Sequence, residues 1–370
     1  MRKPQVVAPV FLVFTALAIA QTQQPPSFQS QVNVVLVPTL VMNKSGEIVH
    51  GLSAKDFVIE EAGVEQAVKL DDAPEAEPMS VVVALQCGRS AKLEFQPPPM
   101  EHRDDLGHPL PAAHRVGDAP LGGLGEMVEG FIGETPSEVA VVTFDSHVQL
   151  RQNFTANIPA MAERLADLQR SGDYGAAILD AVSYSLDLLD QRPNRRRVVL
   201  LISEQRDHGS KIASLETVVQ RITESNTLIY SVVFSPLRSE FARDAKGQSA
   251  RRREPRTPQQ STDARTAVDE PQPTIDLLRM IALLSNSMKK NMAQAMADMT
   301  GGEYRTFKNK HSFDAELEGL ANHVRNRYLL SFQPKDPKFG PHRITVRLRD
   351  PGHDTVVLAR STYWVNGVAR

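Results

Sequence analysis

Residues 81–86 read Val-Val-Val-Ala-Leu-Gln, an apolar run without alternation. Apolar side chains at consecutive positions leave no face for water. A strand made of them is buried on both sides, as in a parallel sheet covered by helices. The run ends abruptly in Cys87, Gly88, Arg89 and Ser90, at the kind of strand end where open α/β sheets bind ligands. Stretches 139–145, 197–203 and 227–234 share its character and alternate with segments of helical period. That alternation predicts an α/β domain over residues 79–326: a doubly wound, mostly parallel sheet flanked by helices.

The helical segments follow from apolar residues three and four apart. Helices are expected over 124–132, over 157–169 with Ile158, Met161, Leu165 and Leu168 inward, and over 176–189, 212–225 and 312–324. A longer one is expected over 275–299, where the methionines serve as core filler. Asp145-Ser146-His147 turns the chain so that 148–154 pairs beside 139–145.

Two insertions interrupt the pattern. Residues 92–120 hold His102, His108 and His114 among carboxylates, but Pro and Gly scattered through them fix no ligand geometry, so a surface loop is expected. Residues 239–273 nearly lack large apolar side chains and read as a disordered insertion, with Arg251-Arg252-Arg253 a solvated charge run.

The two ends differ from the middle. Arg2 and Lys3 precede an apolar stretch, and Ala18-Ile19-Ala20 fits cleavage between Ala20 and Gln21, so residues 1–20 are expected to be a signal peptide. No later stretch has spanning length, which predicts an exported protein, periplasmic or secreted, without a membrane span once the leader is removed. Residues 21–30 are expected to be flexible, 31–72 to form a small β-domain, and 327–370 a C-terminal unit of antiparallel strands with turns at Asp336-Pro337 and Pro351-Gly352. With 42 basic against 44 acidic residues, nothing supports general nucleic-acid binding. Cys87 is the only cysteine, which excludes an intramolecular disulfide and suits a small buried apolar group.

Several segments together resemble a known family. Leu85-Gln86-Cys87-Gly88-Arg89-Ser90 stands where a von Willebrand factor type A domain has its Asp-x-Ser-x-Ser signature. Gly172–Asp180 resembles the family's Gly-Gly-Thr-Ala-x-x-Asp, and Leu200–Gly209 its strand ending in Ser-Asp-Gly. The flanks, with Gly51–Phe57, Glu61-Ala-Gly63, Gly301–Tyr304 and Arg327–Lys335, resemble the VWFA-related family known from Acidobacteria.

The resemblance implies a Rossmann-like domain with a metal-ion-dependent adhesion site at the strand ends. That site takes one Asp, two Ser, a Thr and a second Asp, and leaves a position for a partner's carboxylate. Residue by residue this chain departs from it. Gln86 stands for the first Asp, Gly88 for the first Ser, Ala176 for the Thr and Glu204 for the second Asp; Ser90 alone matches. Asp173 and Asp207 are the nearby substitutes. The site is therefore expected to be degenerate, with no cofactor and a protein partner bound independently of metal. Two alternatives remain. One is cation-dependent adhesion through a modified set including Ser90 and Glu204, with Ca²⁺ favoured over Mg²⁺ because it tolerates irregular oxygen shells. The other is a hydrolase built on Ser203, Glu204, Asp207 and His208, although no nucleophile elbow, zinc-binding His pair or phosphate loop is present.

Overall fold

The computed structural model describes residues 34–71, 77–88, 91, 124–166, 171–234, 282, 285–308, 310–335, 338–350 and 355–365. The expected leader with Ala20 and Gln21, both insertions, and Arg89 and Ser90 lie outside the described residues. The chain opens with β1 (Val35–Asn43), β2 (Phe57–Glu61), β3 (Val64–Gln66) and β4 (Val68–Leu70). Then come β5 (Met79–Gln86), α1 (Leu124–Ile132), β6 (Ser137–Phe144), β7 (Val148–Thr155), α2 (Ile158–Ala166) and α3 (Ile178–Asp190). β8 (Arg196–Ser203), α4 (Leu215–Glu224), β9 (Leu228–Phe234), α5 (Met292–Thr300), β10 (Tyr304–Phe307) and α6 (Lys310–Arg325) follow. β11 (Tyr328–Phe332), β12 (Gly340–Leu348), β13 (Thr355–Ala359) and β14 (Thr362–Val365) come last.

Six strands form the central sheet in the order β10-β9-β8-β5-β6-β7. β5 lies parallel between β6 and β8, and all eight of its residues are buried. β7 runs antiparallel at the edge, paired to β6 through the turn after Phe144. The unbroken apolar run of β5 divides by strand period. Val81, Val83 and Leu85 face the cluster holding Phe131, Met161 and Leu320. Val82 and Ala84 face the one holding Val182, Val218 and Met296. Each fully buried valine contributes about 2 kcal/mol of transfer free energy. Both faces are thus covered by helices, as the lack of alternation requires.

Two helices differ from expectation. α4 starts at Leu215 rather than 212, because the backbone N–H groups of Lys211, Ile212 and Ala213 bond the Asp180 carboxylate and Ser214 caps the helix. The methionine-rich helix is broken at Asn291. That residue leaves helical geometry and its side chain accepts from Gln294 N, capping α5. Met288, Met292, Met296 and Met299 are buried in the core, while Met280 lies outside the described residues.

The largest difference concerns the terminal strands. The sequence suggests two separate β-units, but they interleave into one. β1 pairs antiparallel with β11 and β13, and β2 with β12. Two four-stranded sheets result, β13-β1-β11-β4 and β14-β12-β2-β3. They share a core of Val37, Phe57, Ile59, Leu330, Phe332 and Tyr363. β11 and β12 are sequence neighbours, yet each lies in a different sheet. In β12, Ile344, Val346 and Leu348 point inward while Arg343, Thr345 and Arg347 stay exposed, so a one-sided apolar face must find a second sheet.

Candidate functional site at the strand ends

The strand order reverses between β5 and β8, and their carboxyl ends lie side by side, the usual ligand address of this architecture. Gln86 closes β5, and Glu204 follows β8. The Gln86 Nε2 donates to Glu204 Oε1 at 3.2 Å, and its Oε1 accepts the Glu204 backbone N–H at 2.8 Å. The other Glu204 oxygen lies 2.8 Å from His208 Nε2. A neutral carboxamide thus satisfies the Glu204 carboxylate where two carboxylates would repel.

Gly88 is fixed by a neighbouring backbone. A Cβ there would stand 2.8 Å from the Asp173 carbonyl oxygen and 3.1 Å from that of Gly175. No side chain fits without shifting main chain. The loop making this contact is tied at three points. Ser171 N donates to Cys87 O, Ala177 N to Asp145 O, and Ala176 exchanges both backbone bonds with His208. Gly175 presses onto Ser146, where a Cβ would collide with the hydroxyl. Ala176 is fully buried and offers no side-chain oxygen.

The substitutes go elsewhere. Asp207 Oδ1 accepts from Leu179 N and Ser210 Oγ, and so caps α3, whose own N-cap Ala177 has no side chain for the task. Asp180 is spent on three backbone N–H groups of the loop before α4. Asp173 accepts from Gly175 N at 3.0 Å, and hydrogen bonds from Gly175 and Ser146 hold its carboxyl below the usual carboxylate range. It also comes together with Asp145 and His147, one ligand atom of each lying within 4.8 Å of the others. Sequence reasoning treated Asp145 and His147 only as a turn. Their membership in a cluster with Asp173 depends on the loop folding back over Gly88.

Segments around residues 86, 175 and 204 therefore converge on one edge of the sheet, as the family resemblance requires. No family model matches the chain, and no curated protein does. Among solved structures, the chain is similar to the conserved hypothetical protein BatB from Bacteroides thetaiotaomicron, at 11% identity over 67% of this chain and 100% of that one, TM-score 0.38. An aerotolerance-related membrane protein from Bacteroides fragilis matches at 12% identity over 66% of this chain and 98% of that one, TM-score 0.38. The VWA domain of SpRpn10 matches at 14% identity over 46% and 83%, TM-score 0.29. These likenesses concern the fold alone.

The α/β domain has the doubly wound, mostly parallel sheet that the family resemblance implies. At the positions that the resemblance assigns to an ion, the described residues are engaged in other ways. Gln86 and Glu204 are bonded to each other, the Gly88 position is filled by backbone, and Ala176 has no ligand atom. Ser90 lies outside the described residues. The buried Ser203 hydroxyl donates to the Glu204 carbonyl at 2.8 Å, while His208 faces the Glu204 carboxylate. Among the described residues no helix is long and apolar enough to cross a membrane.

Proposed function

We propose that this is an exported, non-enzymatic VWA protein that binds a protein partner at the strand-end edge without a metal ion. The observation that carries the reading is the backbone packed against Gly88, 2.8 Å from where a serine Cβ would stand, in the place of an ion ligand. Two apolar side chains stand out at the same edge. Tyr174, on the loop over Gly88, is 53% exposed, and Ile212, in the loop after β8, is 91% exposed. The two loops are joined by the Ala176–His208 bridge. Exposed aromatic and branched side chains on a fixed frame are what a partner surface buries as anchors. A photo-cross-linking residue in place of Ile212 is expected to give a protein adduct that survives EDTA and is lost with Tyr174→Asp. An adduct abolished by EDTA would sink the metal-independent reading.

A second reading is favoured by one observation, the Asp145, His147 and Asp173 cluster. Two carboxylates and an imidazole are a ligand set for zinc or another divalent cation. Calorimetric titration of Mg²⁺, Ca²⁺ and Zn²⁺ into chelator-stripped protein separates the two. Absence of heat favours the metal-independent surface. A one-site isotherm lost in His147→Ala favours the cluster.

A further inference from the structure

The paired sheets of terminal strands hold an imidazole whose two nitrogens both face oxygen. His342 stands on β12 opposite Tyr363 of β14, and its ring stacks on the phenol with centroids 4.9 Å apart. Its Nδ1 lies 2.5 Å from Glu61 Oε1, at the end of β2, and its Nε2 lies 2.7 Å from the Lys338 carbonyl oxygen. The same Glu61 oxygen accepts the Tyr363 hydroxyl at 2.8 Å. Among the described residues, Glu61 and Tyr363 are the titratable side chains bonded to or stacked on the ring. Glu60 and Arg347, at outward positions of β2 and β12, pair with each other instead. A carbonyl oxygen only accepts, and a neutral imidazole has one N–H to give. Two acceptors at hydrogen-bond distance therefore call for two N–H groups, or for a proton on Glu61 in place of one of them. Tyr363 does not supply that proton, because burial, and after it the Glu61 hydrogen bond, push its hydroxyl far above the usual phenol range. The Glu61–His342 pair thus holds one proton more than a carboxylate beside a neutral ring. An imidazole competes for it better than a carboxylate does.

We infer that His342 is a pH-sensitive latch on the entry to β12, closed while the ring carries both protons and opened when it gives one up to solvent. The N–H that remains stays on Nδ1, where the charged carboxylate is the stronger acceptor. Nε2 then turns a lone pair toward the Lys338 oxygen, and two acceptors facing each other repel. The latch holds an aromatic pair in place. Phe339, next to Lys338, is 60% exposed and sits edge-on to Trp364, with centroids 5.9 Å apart. Trp364 lies opposite Pro341 on β14, an edge strand paired to β12 through its first residues. Its indole Nε1 is buried without a partner, so water that enters when the Phe339 turn lifts meets a donor ready for it. The device uses none of the strand-end residues and is independent of the reading above.

Trp364 is the chain's one tryptophan, so its fluorescence reports on the latch directly. In the full chain its emission is expected to shift to the red, and to become more open to acrylamide quenching, as pH rises from about 5 to 8, the span over which imidazoles titrate. His342→Gln should remove the shift. Glu61→Gln keeps an oxygen for His342 and Tyr363 but loses the charge that favours the imidazolium, so the shift should move to lower pH. Far-UV circular dichroism over the same span establishes that each protein stays folded. Should His342→Gln fail to fold, nitrogen-15 spectra of the His342 ring in the parent chain decide. The ring is expected to pass from imidazolium to the Nδ1-protonated neutral form together with the change in emission. Emission that stays constant with pH in the parent chain, or a shift that persists in folded His342→Gln, would overturn the proposal. So would a midpoint unmoved in Glu61→Gln, or a ring already neutral at the acid end of the span.

Discussion

At the scale of single residues, the strand-end edge is stabilised by what is missing from the metal-site pattern. Gln86 donates to a carboxylate that an aspartate at its position would repel. Gln86→Glu keeps the size and exchanges the donor for a second negative charge beside Glu204. Its cost at neutral pH should be about 2 kcal/mol. Stability should recover as pH falls and one of the pair takes up a proton. Urea unfolding at neutral pH and again near pH 5 checks both halves. If the loss were the same at both, charge repulsion would not be its cause. Gly88 explains why partial restoration of the motif is not enough. A serine there meets two carbonyl oxygens before it meets an ion. The sequence could say which ligand atoms were absent, but nothing in it said that their space was already occupied.

At the scale of elements, loops settled by one buried acid decide where helices begin. Asp180, on the first turn of α3, accepts from Ala213 N at 2.7 Å, Lys211 N at 2.8 Å and Ile212 N at 3.0 Å. Apolar spacing alone puts a helix start at 212. The carboxylate instead holds 211–213 in a bend around it and leaves Ile212 outward. Asp180→Ala should cost about 3 kcal/mol, since three charge-assisted bonds end on one side chain. Amide exchange at Lys211, Ile212 and Ala213 should then quicken while β5 stays protected. Unchanged exchange at those three amides would mean that the loop is held by other contacts. The same acid was legible only as part of a family motif. Its partners lie about thirty residues downstream and come near only through the β8 turn.

At the scale of the whole molecule, the α/β domain and the two sheets of terminal strands meet through buried ionic and polar contacts. Glu303, just before β10, accepts from Arg327 beside β11, from Arg305, and faces His323 on α6 at 2.9 Å. Burial alone would raise its carboxyl, but the His323 hydrogen bond and the Arg327 charge hold it below its ordinary value of 4.5. The unfolded chain therefore takes up this proton more readily than the folded one. The stability from Glu303 is fully present above the ordinary glutamate range and is lost as pH falls through the lowered folded value. Glu303→Gln should lower stability at pH 7 and flatten the acid limb below about pH 4.5. Melting temperature against pH for both proteins is the measurement. Parallel curves would show that the acid limb arises elsewhere. Arg360 bridges the same seam without any carboxylate, donating to Thr362 O, Asn226 Oδ1 and Thr223 O, and burial pulls it down to about 10.

What the sequence determined by itself was the central sheet. Its strands are apolar at successive positions, which has one physical solution, burial on both faces with helices between. Their sharp ends located the edge where the motif residues gather. Only the tertiary structure decided the pairing of the terminal strands. A half-buried strand such as β12 specifies a face but not a partner, and the partner here lies about 290 residues away, Leu348 opposite Phe57. It also decided that the Gly88 position is filled by carbonyl oxygens. Contacts between backbone and side chains from distant segments leave no local periodicity for the sequence to carry.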